Sequence, residues 1–149
     1  MKNDYYSRVC SVVQEAKESI YVLMYAIQVG KSEYEPVNKL CLDLIEAHKR
    51  GVRVEIILEH TSAKRDKLLN KANQQALDLL SKQGIKARFD DPGKTLHSKV
   101  IIIDGYITIL GSHNWTYTAF QRNNESSVLI KSRKVAQKFI RYFRTIGIE

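Results

Sequence analysis

The sequence predicts an α/β fold in which a mixed β-sheet is flanked by α-helices on both faces. From Asp4 to Phe89, stretches of helical periodicity alternate with apolar runs rich in β-formers, the pattern of strands joined by helices. Two further apolar runs, Val100–Ile103 and Tyr106–Leu110, are separated only by Asp104-Gly105, a strong hairpin signal that adds antiparallel strands. These two runs are apolar on both faces, which places them inside the sheet.

In chain order, Asp4 to Glu18 carries Tyr6, Val9, Val13 and Ala16 at helical spacing. Ile20 to Val29 is mostly apolar and reads as a buried strand. Gly30 to Glu35 is a loop, and Pro36 suits the first turn of a helix that runs to Lys49 and stops at Gly51. Arg53 to Leu58 is the next strand, and Ser62 to Gln83 a second long helix closed by Gly84. The basic run of that helix, from Lys64-Arg65 to Lys71, reads as a solvated face. Ile85 to Phe89 is a short strand, and Asp90 to Lys94 a turn into the hairpin. Beyond it lie a short helix over Thr116 to Gln121, a strand over Ser126 to Ile130 and a closing helix over Ser132 to Ile146. No linker, repeat or low-complexity segment interrupts residues 1–149, which read as a single domain.

At 44% hydrophobic residues the chain is globular and not disordered. Lysine plus arginine number 24 against 16 acidic residues, a net charge of +8, which favours polyanions such as nucleic acid or anionic lipid headgroups. Cys10 and Cys41 form no CxxC or metal-ligand grouping and read as reduced thiols. The polar N-terminus has no signal-peptide shape, so the expected location is cytoplasmic. Ile20–Val29 is too short and too polar to span a bilayer, so no stable membrane insertion is expected.

A two-residue Asp104-Gly105 turn would set Ile103 opposite Tyr106, Lys99 opposite Leu110 and His97 opposite Ser112. Alternation then puts His97, Lys99, Ser112 and Asn114 on one face at the open end of the hairpin. Asp104 sits in the turn, away from them. The pattern His97-x-Lys99-x4-Asp104-x6-Gly111-Ser112-x-Asn114 resembles the HKD signature of the phospholipase D superfamily. Gly51-Val52-Arg53-Val54 upstream and Asn123-Asn124-Glu125 downstream are also similar to that family. The resemblance spans roughly Ser19 to Ile130, and six specified positions at fixed spacing make it specific. It implies the family's phospholipase D-like mixed sheet with flanking helices, and a catalytic role for Asp104 that competes with turn formation.

A phosphodiester repels nucleophiles through its anionic oxygens, so cationic and hydrogen-bonding side chains must neutralise them. Lys99 supplies the charge and Asn114 an amide donor, with Ser112 a hydroxyl on the same face. Neutral His97 attacks phosphorus to give a covalent phosphohistidine, and a second, charged imidazole protonates the leaving alkoxide. The remaining histidines, His48, His60 and His113, begin no second His-x-Lys, and His113 is expected to face away from the site. A single copy of the motif resembles the superfamily's short bacterial endonucleases, whose homodimers build one site across a twofold axis. The resemblance also implies that Glu125 accepts a hydrogen bond from the histidine Nδ1. Trp115, Tyr117 and Arg122 are candidates for lining a substrate groove. No residue grouping resembles a divalent-metal site, and no cofactor is expected.

The reading that combines these features is a metal-independent phosphodiesterase cutting DNA or RNA with little sequence preference. The alternatives are a cardiolipin-type lipid hydrolase and a non-catalytic nucleic-acid-binding module.

Overall fold

The computed structural model describes residues 4–62 and 66–146. The elements follow in the order α1 (Asp4–Glu15), β1 (Ser19–Met24), α2 (Pro36–Lys49), β2 (Arg53–Leu58), α3 (Lys67–Ser81), β3 (Lys86–Phe89), β4 (Lys99–Ile103), β5 (Ile107–Gly111), α4 (Tyr117–Gln121), β6 (Ser127–Lys131) and α5 (Arg133–Thr145). Lys64 and Arg65 of the basic run lie outside the described residues. The strands form one six-stranded sheet ordered β3-β2-β1-β4-β5-β6. β1, β2 and β3 are parallel, while β4, β5 and β6 each pair antiparallel with the strand before them in that order. The sheet is mixed, and both hairpin strands are interior.

Period-2 alternation divides the strand residues between two cores. Ile20, Val22, Met24, Ile56, Leu58, Ile101, Ile103 and Ile109 pack with Val9 and Val13 of α1, Leu40 and Leu44 of α2, Leu80 of α3 and Phe120 of α4. Tyr21, Leu23, Ile57, Val100 and Ile102 point the other way, under Ala136, Ile140 and Phe143 of α5. Helices therefore cover both faces. Pro36 opens α2, and the glycines after α2 and α3, Gly51 and Gly84, have φ of 95° and 84°, a region in which a side chain would be strained. Among the described residues, no helix is long and apolar enough to cross a membrane. Cys10 and Cys41 are free thiols; burial pushes them up to about 11 and about 12 respectively.

β1 stops at Met24, short of the expected Val29. Asn73 on α3 explains the early end. Its fully buried amide donates to Tyr25 O and Glu59 O, both at 2.8 Å, and accepts from Ile27 N at 2.9 Å. The side chain replaces the ladder where β1 and β2 end, and the chain then turns to pair Ile27 with Trp115.

The hairpin differs from expectation by one residue. Ile103 pairs with Ile107 and Val100 with Leu110, where a two-residue connection would set Ile103 opposite Tyr106. The Asp-Gly turn itself forms: Asp104 and Gly105 have φ of 52° and 58°, and Tyr106 N donates to Ile103 O at 3.0 Å. Tyr106 is then an extra residue, and its carbonyl accepts from Ser132 N at 2.8 Å, outside the β4–β5 ladder. A one-residue slip exchanges the faces of a strand, so alternation along the hairpin is not what brings Ser112 and Asn114 to the site.

Asp104 is also corrected as a candidate catalytic residue. Its carboxylate accepts from Lys17 N (3.0 Å), Glu18 N (2.8 Å) and Ser19 N (3.0 Å), binding the hairpin turn to the α1–β1 junction. It lies seven residues along the chain from His97, on the order of 20 Å for an extended strand, and its role is structural. Asp104→Ala removes these acceptors and forces alanine into positive φ, so it is expected to cost roughly 2–3 kcal/mol in chemical denaturation. Asp104→Asn, which tolerates the backbone angle, is expected to cost less.

Candidate active site

The end of β2 fixes the approach to His97. Glu59 is 1% exposed, and its Oε2 accepts from Leu96 N at 2.5 Å. Burial holds the Glu59 carboxyl above the usual carboxylate range, against the hydrogen bond from Leu96. The backbone entering His97 is thus tied to a buried carboxylate. The His97 side chain itself is exposed, with its ring edge-on to Tyr25 at 4.8 Å between centroids.

Lys99 opens β4 beneath it. The side chain is 9% exposed, Nζ donates to His97 O at 2.7 Å, and it stands 4.9 Å from the Tyr25 ring centroid. Burial lowers the Lys99 ammonium, and the Glu125 carboxylate opposes that shift. Tyr25 therefore contacts both the imidazole and the cation, while Asn73 holds its backbone from behind. Neither Tyr25 nor Asn73 nor Glu59 stands out in the sequence. Tyr25 lies inside an apolar run, and an isolated Asn on a helix has no local signature.

The facing wall comes from the ends of β5 and β6. Gly111 pairs with Ser127, and a Cβ there would collide with backbone and side-chain atoms of Ser126 and Ser127, so glycine permits the close approach. Ser112 N donates to Ser126 O at 2.9 Å, and Ser126 N donates to Ser112 Oγ at 3.0 Å. The Ser112 hydroxyl donates to Glu125 Oε2, and Asn123 Nδ2 donates to Glu125 Oε1 at 2.9 Å. Burial alone would raise the Glu125 carboxyl. The bonds from Ser112 and Asn123 and the charges of His113 and Lys99 outweigh it, and the net shift is downward. The expected hydrogen bond from the His97 ring is not formed in this structure, where the partners of Glu125 are Ser112 and Asn123.

A lowered carboxylate stabilises the fold above its ordinary value of 4.5, and that contribution is lost as pH falls through the folded value. Ser112→Ala removes one lowering contact. It is expected to flatten the acid side of the stability profile, measured by denaturant titration from about pH 3 to about pH 6, and to raise the Glu125 value read by NMR.

The Asn114 Oδ1 is buried with no hydrogen-bond partner, and among the described residues no protein group occupies its Nδ2. An amide left uncommitted is available to a ligand oxygen. Trp115, expected in a substrate groove, is instead core: it is 0% exposed, and its Nε1 donates to Tyr5 OH at 3.1 Å. Its backbone donates to Ala26 O and accepts from Gln28 N, both at 2.9 Å, so it anchors Asn114 without reaching the surface. Arg122 and Tyr117 are exposed at α4, with the guanidinium 5.6 Å from the ring centroid.

The other histidines have different surroundings. His113 is 9% exposed, stacks on Tyr5 at 4.0 Å, and places Nδ1 2.8 Å from Ser127 Oγ. Burial lowers its pKa, against the attraction of Glu125. His60 lies beyond the end of β2 and packs against Phe89, with ring centroids 4.8 Å apart. His48 lies in the last turn of α2, near the opposite end of the sheet. A cleft of about 600 Å³ between α1, α4 and β6 includes Tyr5, Arg8, His113 and Asn123. His97 and Lys99 do not line it, and it meets the site through Glu125. Among the described residues, no group of three or more His, Cys, Asp or Glu is placed to hold a metal ion.

The sheet thus presents a histidine, a buried lysine and an uncommitted amide near the ends of its central strands. Residues 9–146 match the family described as "Cardiolipin synthase, PLD-like domain", and the chain belongs to the phospholipase D superfamily. It is 35% identical over 128 residues to a phospholipase D of Rickettsia prowazekii, covering 86% of this chain and 55% of that protein. It is 29% identical over 150 residues to the mitochondrial cardiolipin hydrolase of Mus musculus, covering 94% and 62%. The chain thus spans little more than half the length of these curated relatives. Among solved structures, the phospholipase D family member Nuc from Salmonella typhimurium superposes with a TM-score of 0.75 at 28% identity, covering 93% of this chain and 83% of that one. NucT from Helicobacter pylori shares the fold, with a TM-score of 0.75 at 20% identity.

Proposed function

We propose that this chain is a metal-independent phosphodiesterase that hydrolyses nucleic acid backbones through a phosphohistidine, at a site completed by a second copy of itself. The observation that carries the reading is the exposed His97 imidazole and the buried Lys99 ammonium meeting at the Tyr25 ring, with the uncommitted Asn114 amide in the same motif. Lys99 and Asn114 bind the non-bridging oxygens. His97 Nε2 attacks phosphorus, the P–O bond to the leaving group breaks, and the alkoxide takes a proton from a second imidazole. That imidazole, now neutral, deprotonates the water that cleaves the P–N bond and restores His97.

The second imidazole is the partner copy's counterpart of His97. Within this chain, His113 is stacked and hydrogen-bonded, and His60 and His48 lie away from β4. A twofold axis beside His97 brings two histidines, two lysines and two amides together. Glu125, held by Ser112 and Asn123, supplies negative charge that opposes the lowering of the Lys99 ammonium by burial. The residues of this half-site all fall within residues 9–146, the span matched by the family.

The net charge of +8 supports a nucleic acid substrate. The names of the Rickettsia and mouse relatives favour a second reading, lipid phosphodiester hydrolysis. Purified protein is to be incubated with plasmid, single-stranded DNA, RNA and anionic lipid vesicles, each with and without EDTA. Cleavage of nucleic acid in EDTA is the expected result. Turnover of lipid alone would move the assignment to the second reading, and no turnover of either would favour a binding module.

A further inference from the structure

The positive charge of this chain is concentrated on one helix. α5 carries Arg133, Lys134, Lys138, Arg141 and Arg144 and no acidic residue. These five account for most of the net +8 and leave the rest of the chain at +3. All five are exposed. Among the described residues none is in an ion pair, and Arg133 alone has a ring partner, Tyr106 at 5.8 Å. At 100° and 1.5 Å per residue the five fall within an arc of about 140° over about 16 Å. The opposite side of the helix, Ala136, Ile140 and Phe143, is consumed by the core under the sheet. Exposed Tyr106 and Tyr142 flank the stripe, and Lys131 precedes it.

We infer that the outer face of α5 is an auxiliary track for the phosphate backbone of a nucleic acid strand extending beyond the scissile bond. The inference rests on the nucleic acid reading given above. A face of cations with three arginine forks suits phosphates that recur along a strand. A bilayer fits less well, because the apolar face is already buried and nothing is left to insert. Five like charges held together without a carboxylate repel one another, which a surface selected for solubility alone would relieve by interspersing acids. The track lies on the sheet face opposite α1 to α4, so it acts on substrate capture and not on the bond-breaking step.

The test is the full-length variant Lys138→Glu/Arg141→Glu/Arg144→Glu, with a Lys138→Gln/Arg141→Gln/Arg144→Gln counterpart should reversal impair folding. Affinity for a 40-base-pair duplex is read by fluorescence anisotropy in the His97→Ala background across a salt series. Vesicles containing phosphatidylglycerol are tested in parallel. The expected result is at least tenfold weaker duplex binding and a salt slope reduced by about 2–3, since each neutralised phosphate contributes roughly 0.9. In the active protein, the loss should appear in KM for the duplex, with kcat retained. Unchanged duplex affinity and slope would overturn the track while leaving the nucleic acid reading intact, provided the protein with His97 present cleaves the duplex. Loss of vesicle binding with duplex binding unchanged would overturn it in favour of a lipid surface. Failure of the parent protein to bind or cleave any nucleic acid would overturn the underlying reading and the track with it.

Discussion

His97→Ala is expected to abolish turnover of every phosphodiester substrate without unfolding the protein. The residue is exposed, precedes β4 and makes no side-chain hydrogen bond in this structure; its one ring contact is the edge of Tyr25. Removing it therefore costs little packing and leaves the Lys99–His97 carbonyl bond possible, because that bond uses the backbone. The chemical loss is complete, since no other imidazole replaces the attacking nitrogen. In the proposed dimer the substitution would remove both nucleophile and acid. Heterodimers of intact and His97→Ala subunits should also fail to complete the cycle, because one role is always vacant. Circular dichroism and thermal melting separate this from unfolding, and retained turnover by a folded variant would refute the assigned role.

Lys99→Ala and Asn114→Ala should each lose on the order of 100-fold or more in kcat, about 3 kcal/mol of transition-state stabilisation. The two losses should differ in their pH behaviour. Burial lowers the Lys99 ammonium and Glu125 supports it, so Lys99 must stay charged against its surroundings. In Glu125→Gln that support is gone. The lysine should then lose its proton at lower pH, read directly by NMR titration of Lys99 Nζ in Glu125→Gln against the parent. Asn114→Ala removes no charge, and its profile should keep the shape of the parent at reduced height. Pre-steady-state measurements across pH distinguish these outcomes.

Much of this architecture is legible in the sequence, because each legible part has a local cause. Alternating residues in Ile20–Met24 and Val100–Ile103 specify two buried faces, and Gly51 and Gly84 mark helix ends through positive φ. The Asp104-Gly105 turn is also a local property. The hairpin register is not, since Tyr106 is drawn out of the β4–β5 ladder by Ser132, far along the chain. Asp104 shows the same limit in another form. Its spacing matches a catalytic signature, but its partners are three backbone amides between α1 and β1. Trp115 is a groove candidate from sequence because it follows the motif, and tertiary packing against Tyr5 buries it completely. At the site, the motif singles out His97, Lys99 and Asn114 as candidates. It does not reveal the supports behind them, because Tyr25, Glu59 and Asn73 come from other elements, and the Glu59 and Asn73 side chains hold backbone atoms of distant segments.

The covalent step is the central claim, and it can be observed directly. Protein is mixed with substrate in EDTA, quenched at alkaline pH where phosphoramidates persist, digested, and analysed by mass spectrometry. The account predicts a phosphoryl adduct on the His97 peptide that is acid-labile, base-stable and absent from His97→Ala. Turnover strictly dependent on added Mg²⁺, with no adduct on His97 at any time point, would contradict it.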